Sequence, residues 1–221
     1  MALLNFMQEI HNKTDRDYLQ RVNDFDKADC AEIAKKFSFD YWDGARQFGY
    51  GGHKYDGRWS VLAKNLISHF DLKNGDKVLD IGCGKGYLLY ELKILLPELV
   101  IVGLDISEYA LLNGKAEIAS HLMLGNASKL PFADNEFDAV LSIVTLHNLK
   151  LDKLFDSITE ITRVAKSNDN FIVVESWRCE KERINLLYWQ LTCESFFPVD
   201  TWEWIFRKCG YNGDWEFIFF E

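Results

Sequence analysis

The chain lacks what would tie it to a membrane, a disulfide scaffold or a nucleic-acid backbone. Its 221 residues hold no window near the ~18–20 uninterrupted apolar residues of a membrane-spanning helix. The opening stretch MALLNFMQEIHNKTDRD has neither the basic start nor the apolar core of a secretory leader, so none is expected. The five cysteines, at 30, 83, 179, 193 and 209, are odd in number and never spaced CxxC. That argues against disulfides or a zinc site and predicts reduced thiols in a cytoplasmic protein. There are only three prolines, no internal repeat and no low-complexity tract. Positive charge is also short: 25 Lys and Arg against 34 Asp and Glu leave a net charge of −9. Residues 1–59 carry nine basic and ten acidic side chains, so there is no basic arm. Such a surface repels phosphate backbones, and neither a nucleic-acid nor a membrane partner is expected.

What is present is a regular alternation of apolar strands and amphipathic helices from about residue 60. Trp59, Leu62, Ala63, Leu66, Ile67 and Phe70 fall at helical spacing before the Asn74-Gly75 turn. KVLDIG (77–82) reads as a buried strand, and the helix after it stops before Pro97. LVIVGLDI (99–106) is a second strand, with Ser107 placed to cap the next helix. HLMLG (121–125), FDAVLSIVT (137–145) and NFIVVES (170–176) are further strands, and Leu151 to Ala165 marks a helix between the last two. Asp200 is placed to cap a helix running to about Lys208, Gly210 to end it, and WEFIFF (215–220) to form the last strand. The pattern predicts an α/β fold, a mainly parallel sheet with helices on both faces, whose ligands bind beyond the carboxyl ends of the strands. Residues 1–59 do not join it; helices are expected around 14–22 and 27–37, as an N-terminal cap on a domain spanning 60–221.

The stretch VLDIGCGKGYLL (78–89) places Gly82, Gly84 and Gly86 between an apparent strand and an apparent helix. A phosphate-binding GxxxxGK[ST] loop does not fit the spacing. A dinucleotide GxGxxG fails in both registers, because Tyr87 and Leu89 stand where the third glycine should be. What remains is DxGxGxG, with Asp80 two residues before the first glycine, a position that suits a cationic ligand better than a pyrophosphate. Asp105, at the end of the second strand, can accept from both hydroxyls of a ribose. Together they suggest an adenosine with an uncharged or positive extension.

On these residues the chain resembles the class I S-adenosylmethionine-dependent methyltransferases, in particular the small-molecule type 11 group. The resemblance spans residues 77–176 and rests on VLDIGCGKG, VGLDIS, GNASKLPFADNEFDAVLS and VTLHNL, in order and at normal spacing. It implies a Rossmann-like fold, S-adenosylmethionine as methyl donor, S-adenosylhomocysteine as product, and transfer by in-line displacement. It further implies Gly82, Gly84 and Gly86 under the methionine and ribose, Asp80 near the amino group and Asp105 on the ribose hydroxyls. Ile106 would pack on the adenine, Asn126 and Ala127 would approach its edge, and the backbone from Ser142 would line the methionine tail. Two departures stand out. SNDN (167–170) replaces the family's Pro-Gly-Gly turn, and one clear final strand stands where the family has an antiparallel pair, unless LTCESFF (191–197) supplies another.

No conspicuous catalytic motif is needed, because the sulfonium is already an activated donor and the protein has chiefly to hold a nucleophile in line. His147, just beyond the fourth strand, and Glu175, at the end of the fifth, are the candidate bases. The segment YWDGARQFGYGGHKYDGRW (41–59) packs six aromatics and five glycines with four cationic or imidazole side chains, a mixture suited to a lid. Tyr50, Arg58 and Trp59 are its candidates for touching the methionine carboxylate or the acceptor. The expected acceptor is a small metabolite, with the lid cations suited to an anionic group. The alternatives are an RNA or protein methyltransferase, or a non-catalytic cofactor-binding partner subunit. The TLHN segment lacks the Asn/Asp-Pro-Pro-Tyr/Phe motif of exocyclic base-amine methylation, and the failed GxGxxG argues against a NAD(P) reductase. Oligomeric state is not legible.

Overall fold

The computed structural model describes residues 1–7 and 18–221; part of the helix expected over 14–22 lies outside them. Three short helices come first: α1 (Tyr18–Asp24), α2 (Lys27–Ala34) and α3 (Phe39–Trp42). Asp26 starts α2 by accepting the N–H groups of Ala28 and Asp29 at 2.8 and 3.0 Å. The alternation follows as α4 (Trp59–His69), β1 (Lys77–Ile81), α5 (Tyr87–Leu95), β2 (Val100–Asp105), α6 (Glu108–Leu112), β3 (Leu122–Leu124) and β4 (Ala139–Ile143). Then come α7 (Leu151–Val164), β5 (Asn170–Glu175), α8 (Glu180–Trp189), α9 (Val199–Lys208) and β6 (Asp214–Ile218). Ser107 caps α6 as expected, its Oγ accepting the Ala110 N–H at 3.0 Å. Asp200 does not cap α9. Pro198 holds that position at φ −70°, and Asp200 lies in the first turn, accepting the Thr201 N–H at 2.7 Å.

The six strands form one sheet in the order β3-β2-β1-β4-β5-β6, every neighbouring pair parallel. A parallel sheet is buried on both faces, and successive side chains of β1 divide accordingly. Val78 joins the cluster with Leu62 and Leu66 of α4 and Leu89 and Leu92 of α5. Leu79 and Ile81 join the opposite cluster, with Leu154, Ile158 and Ile161 of α7 and Trp202 and Phe206 of α9. Each such fully buried side chain contributes about 1.5–3 kcal/mol.

The sheet ends differently from the family pattern. Beside β5 lies β6, itself parallel, and no antiparallel edge strand occurs among the described residues. The N-terminal segment covers the outer edge instead: Leu4 N–H donates to the Trp215 carbonyl at 2.8 Å, and Trp215 N–H to that of Ala2 at 3.0 Å. Glu216 pins the segment by accepting the Phe6 and Met7 N–H groups at 2.7 and 2.8 Å. An otherwise open edge is thereby closed. LTCESFF forms no strand; the N–H groups of Glu194 and Ser195 both bind the His147 carbonyl at 2.9 Å. Among the described residues no helix is long and apolar enough to cross a membrane.

Candidate active site

A cavity of about 480 Å³ opens at the carboxyl ends of the strands, where the chain order switches between β1 and β4. Its floor is the turn after β1. Gly82 sits at φ +78°, and a Cβ there would fall 2.0 Å from the Thr145 hydroxyl oxygen, so only glycine lets the loop pass beneath the strand-four turn. Asp105 ties the loop to β2: Oδ2 accepts the Gly84 N–H and Oδ1 the Ser107 N–H, each at 2.7 Å. Burial raises its pKa, opposed by those two bonds. Ile106, 62% exposed, offers an aliphatic face beside it. Asn126 shapes the adjoining wall by accepting the Ser128 N–H at 2.9 Å, with Ala127 buried next to it.

Asp80 is the anomaly of this half. It is 3% exposed, its Oδ1 has no hydrogen-bond partner, and it lines the cavity. Burial first, and Asp105 second, push its carboxyl up to about 7. A buried polar atom left without a partner points to a group that belongs there. An orphaned carboxylate oxygen, a glycine floor and a preoriented Asp105 together fit a nucleoside with a cationic extension.

Two predicted positions stand behind the wall rather than in it. Gly86, at φ +73°, packs where a Cβ would meet Ile118 at 2.8 Å. Ser142 is fully buried, its Oγ donating to the Ile81 carbonyl at 3.3 Å. The wall itself comes from Ile143, Val144 and Thr145.

The segment before α4 folds over the glycine turn. Trp42 donates from its indole to Ser107 Oγ at 2.9 Å and stacks on Tyr50, ring centroids 5.3 Å apart at 11°. Lys85, in the glycine turn, donates to both carboxylate oxygens of Asp43 at 2.8 and 2.7 Å and to the His53 carbonyl at 2.9 Å. Tyr109 also donates to Asp43, at 2.8 Å. The cations of the segment have partners of their own. Arg58 Nε donates to Asp56 at 2.7 Å, and Arg46 donates to the carbonyls of Gly49 and Tyr50 at 2.6 and 3.1 Å. Burial lowers the His53 imidazole to about 4, leaving it neutral. Tyr50, Arg58 and Trp59 all line the cavity.

The other half lies beyond β4 and β5. His147 and Glu175 are both buried there, Nε2 to Oε2 3.6 Å apart. His147 Nδ1 accepts the Glu175 N–H at 3.4 Å, which only an unprotonated nitrogen can do, so the ring is neutral with its proton on Nε2. Burial agrees, lowering its pKa to about 3. Gln190 donates to the same Glu175 oxygen, and Thr192 Oγ1 donates to Asn148 at 2.7 Å.

With this geometry the comparisons are consistent. The methyltransferase-domain family profile matches residues 79–173. Residues 79–173 form a class I methyltransferase domain. Its cofactor is S-adenosylmethionine. The demethylmenaquinone methyltransferase of Symbiobacterium thermophilum is 31% identical over 157 residues, 66% of this chain and 60% of its own. The tRNA (carboxymethyluridine(34)-5-O)-methyltransferase of Arabidopsis thaliana is 31% identical over 131 residues, 59% of this chain and 30% of its own. The chain thus spans less than two thirds of either relative. An S-adenosylmethionine-dependent methyltransferase from Archaeoglobus fulgidus shares the fold at a TM-score of 0.56 and 21% identity, over 73% of this chain and 70% of its own.

Sequence reasoning missed several residues that line the cavity: Met7, Tyr41, Trp42, Lys85, Gln190 and Thr192. Trp42 lay within the aromatic stretch already singled out. Gln190 and Thr192 follow α8, whose charged, weakly amphipathic sequence gives no sign of which face turns inward.

Proposed function

We propose that this protein transfers the methyl group of S-adenosylmethionine to a small acceptor held in the same cavity. The observation that carries the reading is the orphaned, buried Asp80 oxygen beside the glycine floor and the preoriented Asp105. Asp80 would receive the cationic amino group, Asp105 the ribose hydroxyls, and Gly82 and Gly84 the close approach of the ligand. Gly86 and Ser142 would act from behind, shaping the loop and the strand-four turn. Ile106 would face the adenine, with Asn126 and Ala127 along its edge, and Arg58 and Trp59 would close the mouth. The bound sulfonium supplies a methyl group that needs no further activation. The protein's task is to hold the acceptor in line, keep water out and take up a proton. Residues 1–59 would serve as cap and lid over the domain from 60 to 221. A cytoplasmic setting belongs to the same reading, supported by cysteines that are odd in number and never spaced CxxC.

An RNA acceptor is the second reading, favoured by the relative named for a tRNA. The net charge of −9 and the lid over the glycine turn support a small acceptor instead. Calorimetric titration with S-adenosylmethionine, S-adenosylhomocysteine and NAD tests the cofactor, with micromolar binding of the first two and none of NAD as the expected outcome. Absence of binding by both sulfur compounds would sink the proposal. Incorporation of labelled methyl into bulk tRNA but not into a metabolite extract would favour the second reading.

A further inference from the structure

We infer that the half of the cavity beyond β4 and β5 is an acceptor subsite for an uncharged, hydroxyl-rich molecule of sugar-like character, with its reacting hydroxyl held by Glu175. This rests on the methyltransferase reading above.

The lining chemistry separates the acceptor classes. Tyr41, His147, Asn148, Gln190 and Thr192 are hydrogen-bonding groups without charge, arranged around the single carboxylate of Glu175. An anionic acceptor would need a cation. The nearest ones are engaged within the protein: Lys85 by both oxygens of Asp43, Arg58 by Asp56, and Arg46 by two carbonyls and the Trp189 ring, 5.0 Å from its centroid. Three buried carboxylates, Asp80, Asp105 and Glu175, line the same cavity and would repel a phosphate. A flat aromatic acceptor would shield these amides and hydroxyls from water and return no hydrogen bond beyond those that Gln190 already makes to Glu175 and Thr192 to Asn148. A polyol satisfies them, and its C–H faces pack on the rings of Trp59, Tyr50 and Trp189, which line the same space.

The geometry also divides the roles of His147 and Glu175. The imidazole's one lone pair is taken by the Glu175 N–H, and its proton faces Glu175 Oε2. It has no basic nitrogen to offer. His147 is a positioning residue, and with Gln190 it holds the carboxylate at one oxygen. Glu175 is the proton acceptor, since a carboxylate has about four acceptor positions and can hold these donors and a substrate hydroxyl together. In the transfer, the acceptor oxygen forms a bond to the methyl carbon as the carbon–sulfur bond breaks. The electron pair stays on sulfur, which becomes a neutral thioether, and the hydroxyl proton passes to Glu175, so charge balances.

The test uses the protein saturated with S-adenosylhomocysteine and four probes followed by saturation-transfer NMR: glucose, glucosamine, glucose 6-phosphate and 1-naphthol. Three share a ring and differ in charge; the fourth is a flat phenol. Glucose is expected to bind best, and Glu175→Gln to weaken it about tenfold while leaving S-adenosylhomocysteine affinity unchanged. Thr192→Val, nearly isosteric, serves as a second variant with a smaller loss should the first fold poorly. Tighter binding of any other probe, no binding of glucose, or glucose binding indifferent to both variants overturns the inference. Failure of S-adenosylhomocysteine itself to bind is a separate result, and it removes the methyltransferase reading along with the subsite.

Discussion

The indole of Trp42 lies directly over Gly84: a Cβ built on that glycine would stand 2.8 Å from the ring. The aromatic segment before α4 therefore rests on the glycine turn itself, and the two are one structural unit. Gly84→Ala should push the ring away as well as strain a backbone at φ +55°. We expect S-adenosylhomocysteine affinity to fall by at least about tenfold (~1.4 kcal/mol). Adding Trp42→Leu should recover part of that loss. The cycle should then show a coupling of about 1 kcal/mol by calorimetry, where independent sites would simply add.

The clamp between Lys85 and Asp43 predicts an asymmetry. Lys85 is 5% exposed, whereas Asp43 is 23% exposed and also accepts from Tyr109 and the His53 N–H. Removing one partner of a buried pair costs about 3–5 kcal/mol, most of it from the charge left behind. Asp43→Asn strands a buried ammonium. Lys85→Met strands a carboxylate that water and two donors can still reach. Urea denaturation should find Asp43→Asn less stable than Lys85→Met by about 1 kcal/mol or more. The reverse order would mean that the segment before α4 is held mainly by its stacked rings.

The individual strands and the glycine turn were legible because a buried parallel strand and a glycine turn each leave a local signature. Apolar runs marked β1, β2, β4 and β5, and Asp80 and Asp105 were found by their offsets from the glycines. The edge was not legible in this way. Leu3 pairs with Trp215 across 212 positions, and nothing in MALLNF signals that partner. The half of the cavity beyond β4 and β5 was legible one residue at a time, His147 and Glu175 by position after their strands. Which of them carries the proton was not, because that depends on a hydrogen bond between a ring nitrogen and a backbone N–H 28 residues away. The sequence shows the cations of the 41–59 segment but not their partners, such as Asp56 beside Arg58.

Asp80 should make stability fall as pH rises. Its carboxyl titrates near 7 in the folded protein, against about 3.9 unfolded, so the folded state holds the extra proton between those values. Its contribution is full below about pH 4 and is lost as pH climbs through about 7, by up to about 4 kcal/mol. Asp80→Asn should therefore gain on the wild type in urea melts between pH 5 and 8. A constant difference across that range would mean that the carboxylate is solvated or paired.

His147 should act in the opposite direction over part of the same window. Its folded pKa of about 3 lies below the unfolded value of about 6.5, so the folded state binds fewer protons between them. That stability is present above about pH 6.5 and is lost as pH falls toward 3. His147→Gln, which cannot titrate, should gain on the wild type as the solution is acidified from pH 7 to 4. From about pH 4 to 6.5 the two buried groups oppose each other, so the wild type should be less sensitive to pH than either variant. Plotted as differences from wild type, the Asp80→Asn curve should rise with pH and the His147→Gln curve should fall. Slopes of the same sign would show that His147 is charged in the folded protein, paired to Glu175, and free to take part in proton transfer.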